Sequence, residues 1–96
     1  TVQWHEQLAH SRDMNRLQAM EVFVSVVDTG SFTRTAEQLG LPKATVSTLV
    51  RQLETRLGAK LLNRTTRRVN VTVDGAAYYE RCARILTEIE DSEQAI

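Results

Sequence analysis

The side chains best suited to binding chemistry follow Pro42, where hydroxyl and cationic residues are interleaved with apolar ones. Val46, Leu49, Val50 and Leu53 recur at helical spacing and predict a buried stripe. The positions facing away from that stripe are short or cationic: Lys43, Ala44, Thr45, Ser47, Thr48 and Arg51. Hydroxyl groups can bond phosphates or base edges, and small side chains let a backbone approach closely. This face therefore suits contact with a nucleic-acid duplex.

A second cationic group lies further along, where Arg64, Arg67 and Arg68 flank two threonines. Guanidinium groups on one protruding turn can neutralise backbone phosphates or enter a minor groove. The net charge of the chain is zero, yet residues 31–68 hold eight basic and two acidic residues, whereas residues 69–96 hold two basic and six acidic ones. Such a positive segment suits a polyanion, although a solvated surface turn would have the same composition.

Apolar residues spaced three and four apart predict the helices that position these groups. The first helix runs from residue 15 to a stop at Gly30, and its inward residues are Leu17, Met20, Phe23, Val24 and Val27. Ser31 caps a short second helix, in which Ala36 and Leu39 face inward until Gly40 ends it. A helix this short can brace a longer one that follows it.

The third helix spans residues 42–57, includes Leu57 in its buried stripe and ends at Gly58. Two short strands at 61–64 and 69–71 suit a hairpin, and Thr72 caps a final helix of about six turns. The predicted fold is mainly α: a winged helix-turn-helix of three helices and a two-stranded β-hairpin wing, followed by a long linker helix. A three-helix bundle with a polar outer face is the alternative on periodicity alone.

The final helix has an apolar seam of coiled-coil spacing. Its predicted dimerisation residues are Tyr78, Cys82, Ile85, Leu86 and Ile89. For Tyr78 and Cys82, packing on their own domain is an equally good interpretation. Ile85 and Ile89 lie further out along the helix, so the seam favours a homodimer.

Other classes of function find little support in the sequence. His5 and His10 lie in an unpatterned leader, no glycine-rich phosphate loop occurs, and Cys82 is a single cysteine, so we expect no enzyme, no cofactor and no metal site. No apolar run approaches the length of a membrane span, which predicts a cytoplasmic protein. Residues 1–13 are interpreted as an N-terminal extension or a cloning remnant.

Several motifs, in order, resemble the N-terminal region of LysR-type transcriptional regulators. They are LQAMEVF at 17–23, TGSFTRTAEQL at 29–39, ATVS at 44–47, QLETRLGAKLLNR at 52–64 and, more loosely, VTVDG at 71–75. The resemblance implies a DNA-binding domain at 14–72 and a dimerisation linker helix at 73–96. It also implies a C-terminal domain, absent from this sequence, that senses a small-molecule effector.

The resemblance further implies that the third helix reads an interrupted palindrome in double-stranded DNA, with Lys43, Ser47 and Arg64 where the family touches it. Ser31 and Thr33, at the start of the second helix, complete the predicted DNA-binding set. Thr48 and Ala44 stand where the family often has arginine and proline, so base preference does not carry over. The rival hypothesis is a winged-helix module that binds protein and not DNA; an apolar outer face on the third helix would favour it.

Overall fold

The computed structural model describes residues 12–64 and 68–96, with side chains from residue 16 onward. Its elements are α1 (Arg12–Thr29), α2 (Phe32–Leu39), α3 (Lys43–Leu57), β1 (Leu62–Arg64), β2 (Val69–Val71) and α4 (Val73–Gln94). The two strands are antiparallel, with Asn63 opposite Asn70. This order of three helices, a hairpin wing and a long helix confirms the predicted fold. Among the described residues, no helix is long and apolar enough to cross a membrane.

Local signals set the tight turn between α2 and α3. The Ser31 hydroxyl accepts a hydrogen bond from the Arg34 N–H at 3.0 Å, which caps α2 as predicted. Gly40 ends α2 at φ 67°, a left-handed conformation that glycine adopts without steric cost. Pro42 is then the N-cap of α3. The direction of α3 is therefore set by two residues that cannot continue α2.

The core surrounds α1, which contacts α2, α3 and α4. Its largest fully buried apolar side chains are Phe23, Leu53, Leu61, Leu62, Val22, Val26, Val46 and Val50. Because α1 has neighbours on several sides, its buried arc is wider than the predicted stripe and also takes in Ala19, while Val24 and Val27 pack at the margin. The α3 stripe at Val46, Leu49, Val50 and Leu53 is buried as predicted.

Three leucines predicted to face inward lie on the surface instead. Leu17, Leu39 and Leu57 are 36%, 39% and 43% exposed. Leu39 and Leu57 are the last residues of α2 and α3, where the chain turns away and neighbouring elements leave them uncovered. Leu17 precedes Ala19, the first buried residue among the described side chains of α1. The prediction for these three residues was wrong because periodicity extends a stripe past the point where its neighbours end.

A buried hydroxyl joins α1 to α2. Thr35 is fully buried, and its Oγ1 lies 3.1 Å from the Thr29 hydroxyl and 3.3 Å from that of Ser25. The Thr29 hydroxyl also donates to the Ser31 carbonyl and accepts from the Ser31 N–H. These bonds satisfy a polar group that would otherwise destabilise the core, and they fix the corner at which α2 begins.

The first turns of α4 pack against the chain's own core. Cys82 is fully buried, and the Tyr78 ring centroid lies 5.8 Å from that of Phe23. Burial raises the pKa of Tyr78 to about 12 and raises the pKa of the Cys82 thiol. The prediction that Cys82 lines a dimer seam is therefore wrong, because its side chain has no surface left for a partner. Tyr78 is half-buried on the same side, as the alternative interpretation expected.

Gly75 lies where α4 crosses the start of the hairpin. A Cβ atom at this position would overlap the Leu61 carbonyl oxygen and lie 2.9 Å from Val71 Cγ1. The Gly75 N–H donates to the Thr72 hydroxyl at 2.9 Å, and the Thr72 N–H donates to the Leu61 carbonyl at 3.0 Å. The backbone of α4 thus approaches the hairpin closely, which sets the angle at which the long helix leaves the domain.

We expect Gly75→Ala to lower the free energy of unfolding by about 2 kcal/mol, because the backbone of Leu61 must move to admit the new methyl group. Alanine favours a helix over glycine by about 1 kcal/mol, so helix propensity alone predicts the opposite sign. Urea unfolding followed by circular dichroism measures the change, with Ala76→Gly at the next, exposed position as a control. A more stable Gly75→Ala variant would contradict the close approach.

Candidate nucleic-acid interface

The outward face of α3 carries the side chains that its pattern predicted. The exposed residues of this face are Lys43, Ala44, Thr48 and Arg51, and the half-buried ones are Thr45 and Ser47. The opposite side of the helix contributes to the core. Gln52 is also exposed on this helix, beside Thr48, and was not among the residues predicted from the sequence. The face is therefore polar along its length, with short side chains nearest its N-terminus.

Ser47 is the meeting point of two guanidinium groups. Arg64 Nη1 donates to Ser47 Oγ at 2.9 Å, and Arg51 Nη2 donates to the same oxygen at 3.4 Å. Because the oxygen accepts both bonds, the hydroxyl proton is available to donate elsewhere. The bond from Arg64 joins β1 to α3 across 17 positions of sequence, so the wing and the helix form one cationic surface.

Arg64 is held on a second side by an aromatic ring. Its Cζ atom lies 4.7 Å from the centroid of the Phe32 ring, within the range of a cation–π interaction. Phe32 is the first residue of α2, half-buried and packed against the core. Phe32 was not among the site residues predicted from the sequence, because a single aromatic residue at a helix start has the pattern of a core residue.

A carboxylate on α3 holds the hairpin in place. Glu54 Oε2 accepts hydrogen bonds from the N–H groups of Leu61 at 2.9 Å and Leu62 at 3.2 Å. The Thr72 hydroxyl lies at the same open end of the hairpin, just after β2, and donates to the Lys60 carbonyl oxygen at 2.6 Å. Glu54 is the only acidic residue of α3, and its charge is directed to the hairpin backbone. From the sequence alone, Glu54 counted only as a charge, because its partners lie seven and eight residues further on and no local pattern indicates them.

The remaining predicted residues lie around this surface. Ser31 is half-buried at the start of α2, Thr33 is exposed in the first turn of that helix, and Arg68 is exposed just before β2. Arg67 lies outside the described residues, as do His5 and His10. The concavities along α3 are shallow and open; one of them is lined by Thr48, Arg51, Gln52, Thr55 and Arg56. Their open shape suits contact with a large partner more than enclosure of a small molecule.

The sequence profile of the bacterial regulatory helix-turn-helix proteins of the LysR family matches residues 17–76, more than half of the chain. The chain belongs to the LysR family. An HTH-type transcriptional repressor of Pseudomonas aeruginosa is 53% identical to this LysR-family chain over 83 residues, which are 86% of the chain and 26% of the repressor. The family predicted from the motifs is thus confirmed.

Solved structures of the family share the fold. The BenM DNA-binding domain in complex with catB site 1 DNA has a TM-score of 0.80 at 30% identity, covering 82% of this chain and 88% of that one. CrgA, a LysR-type transcriptional regulator from Neisseria meningitidis, has a TM-score of 0.67 at 49% identity, covering 79% of this chain and 26% of CrgA. The LysR-family chain therefore spans about a quarter of the length of such regulators, and it matches the BenM chain that is a DNA-binding domain over 88% of that chain.

We expect Glu54→Ala to lower the free energy of unfolding by about 2 kcal/mol, because two hydrogen bonds to a charged acceptor are lost and buried N–H groups are left unpaired. Glu54→Gln keeps an acceptor oxygen in the same place and should lower the free energy of unfolding clearly less. Thermal unfolding compares both variants with Glu37→Ala, which removes an exposed carboxylate from α2. Equal losses for Glu54→Ala and Glu37→Ala would show that the bonds to the hairpin contribute nothing.

Proposed function

We propose that two copies of this LysR-family chain bind one duplex, each placing α3 in a major groove and its hairpin on the adjacent backbone. The observation that carries the proposal is the hydrogen bond from Arg64 to Ser47. It brings the cation at the end of β1, next to the hairpin turn, onto the face of α3 that is free of core contacts. A helix that presses this face into a groove brings Arg64 to the phosphates that flank the groove.

The contacts divide between bases and phosphates. Ala44, Thr45 and Thr48 are short, so α3 can approach base edges closely, and the threonine methyl groups suit the methyl group of thymine. Lys43, Ser47 and Arg51 are assigned to phosphates or to base edges at the margin of the groove. Positive charge in this set supplies affinity, and the short side chains supply the sequence preference.

The hairpin and the start of α2 are assigned to the DNA backbone. Arg64 and Arg68, together with the predicted contact Arg67, supply cations at the wing. Ser31 and Thr33 offer hydroxyl groups at the N-terminus of α2, where the helix dipole also favours phosphate oxygens. These groups position the protein on the duplex and carry little sequence information.

Pairing is assigned to the outer part of α4. Ile85 is 43% exposed, and Leu86 and Ile89 are half-buried, beyond the turns that Tyr78 and Cys82 attach to the core. An apolar stripe on a projecting helix is covered when a second copy supplies the same stripe. Two-fold symmetry then places the two α3 helices on an interrupted palindrome.

We extend the proposal to the organisation of the whole protein. Residues 14–72 form the DNA-binding domain, residues 73–96 form the linker helix, and residues 1–13 are an extension, the last two residues of which begin α1. The remaining three quarters of a full-length regulator would hold the effector domain. We propose that the protein acts in the cytoplasm, where bacterial DNA lies, and that this part of it has no catalytic activity.

The protein-binding alternative would require an apolar outer face on α3. Instead, Ser47, Arg51 and Arg64 converge on that face, and its exposed neighbours are alanine, threonine, lysine and glutamine. A surface of this composition favours a polyanion over an apolar partner.

Selection of bound duplexes from a random DNA pool tests the proposal as a whole. We expect an enriched interrupted palindrome, whose affinity falls steeply as salt rises because bound phosphates release counterions. Binding that depends equally steeply on salt but enriches no sequence would contradict specific reading by α3. No binding at low salt would favour the protein-interaction hypothesis.

Arg64→Ala tests the wing contact. We expect affinity for the selected duplex to fall about ten-fold, because a hydrogen bond to a charged phosphate is lost, and the slope of log affinity against log salt to decrease by about one. Fluorescence anisotropy measures both, with Arg84→Ala, an exposed arginine on α4, as the matched control. Unchanged affinity in a folded Arg64→Ala variant would contradict the contact.

Ile85→Lys tests pairing through α4. We expect the dissociation constant of the dimer to rise about ten-fold or more, because an unpaired ammonium group would be buried in the apolar seam. Sedimentation equilibrium measures this, with Thr87→Lys two residues on, and thus on another face of the helix, as the control. If the two variants pair equally well, the pairing surface lies elsewhere. If the unsubstituted chain stays monomeric at every concentration, pairing through α4 is contradicted.

A further inference from the structure

We propose that Phe32 is a positioning residue for DNA binding, which holds the guanidinium of Arg64 at the phosphate backbone through its ring face. The inference rests on the proposed function, because it concerns how an arginine assigned to phosphate is kept in place. Its components are the 4.7 Å approach of Arg64 Cζ to the Phe32 centroid and the 2.9 Å bond from Arg64 to Ser47.

The two contacts restrain the guanidinium in different ways. The Phe32 ring approaches the cationic centre, and Ser47 occupies one of the five N–H donors that an arginine carries. Among the described residues, Ser47 is the acceptor of the Arg64 guanidinium, so its other donors can bind phosphate oxygens. The Arg64 side chain is exposed, so a phosphate group in solution can reach these donors.

The ring is a fixed support because α2 holds it at both the backbone and the side chain. Ser31 caps α2 immediately before Phe32, and the ring packs against the core. The hydroxyl bonds of Thr29 to the backbone of Ser31 secure the same corner. A long arginine side chain would otherwise lose conformational freedom on binding, and holding it beforehand lowers that cost.

A purely structural role for Phe32 makes a different prediction. If the ring only fills the margin of the core, Phe32→Leu should act on stability, and its effect on DNA affinity should be the same with or without Arg64. If the ring acts through Arg64, its replacement should matter only while the guanidinium is present. A double-mutant cycle separates the two roles.

The experiment measures anisotropy of the fluorescein-labelled duplex recovered by the selection, using the 96-residue chain and its Phe32→Leu, Phe32→Tyr, Arg64→Ala and Phe32→Leu/Arg64→Ala variants. We expect Phe32→Leu to weaken binding about two- to five-fold, the range of an exposed cation–π contact. Phe32→Tyr keeps the ring face and should retain the affinity of the unsubstituted chain for the duplex. In the Arg64→Ala background, Phe32→Leu should have no further effect.

Nuclear magnetic resonance supplies a readout that core packing alone would not move. Side-chain protons of Arg64 should show a ring-current shift in the free and DNA-bound chain, which Phe32→Leu abolishes and Phe32→Tyr retains. Loss of that shift on DNA binding would overturn the inference, as would an equal effect of Phe32→Leu in both backgrounds. If Arg64→Ala weakens binding but Phe32→Leu does not, only the inference fails; if Arg64→Ala binds normally, the proposed wing contact fails first.

Discussion

The carboxylate of Glu54 joins α3, whose outward face is the candidate nucleic-acid interface, to the hairpin beside it. By accepting the N–H groups of Leu61 and Leu62, it fixes where the chain leaves α3 and enters β1. The position of Arg64, two residues further on, depends on that junction. The same bonds direct the only negative charge of α3 to the hairpin backbone, and the outward face remains cationic.

A short chain tolerates few errors at such junctions. Native domains have a free energy of unfolding of about 5–15 kcal/mol, and small ones lie toward the low end, so one lost pair of hydrogen bonds or one overlapping methyl group removes a large share of that stability. Gly75 and Glu54 both act on Leu61: Gly75 through close approach to its carbonyl group, and Glu54 as a charged acceptor of its N–H. The wing is thus held by contacts among α3, α4 and the strands more than by its own two short strands, which alone would be marginal.

The long helix α4 has two parts with different roles. Its first turns pack against the core formed by the other helices, since Cys82 is buried there, the Tyr78 ring lies beside Phe23 and the Tyr79 hydroxyl donates to Asp28 of α1. Ile85 lies beyond these contacts and keeps an exposed apolar surface. Because α4 is attached to the core at one end and exposed at the other, a partner bound to its outer part would also orient α3.

The sequence by itself determined the elements, because their signals are local. Helical spacing, the Ser31 cap and the glycines after α1, α2 and α3 specify where each helix begins or ends. The family resemblance was carried by sequence motifs within these elements. Only the tertiary structure decided which side chains meet. The contacts of Arg64 with Phe32 and Ser47, the bonds of Glu54 to the hairpin, the burial of Cys82 and the exposure of Leu39 and Leu57 all depend on where neighbouring elements begin and end in space. Periodicity describes one element at a time, and these contacts are properties of pairs.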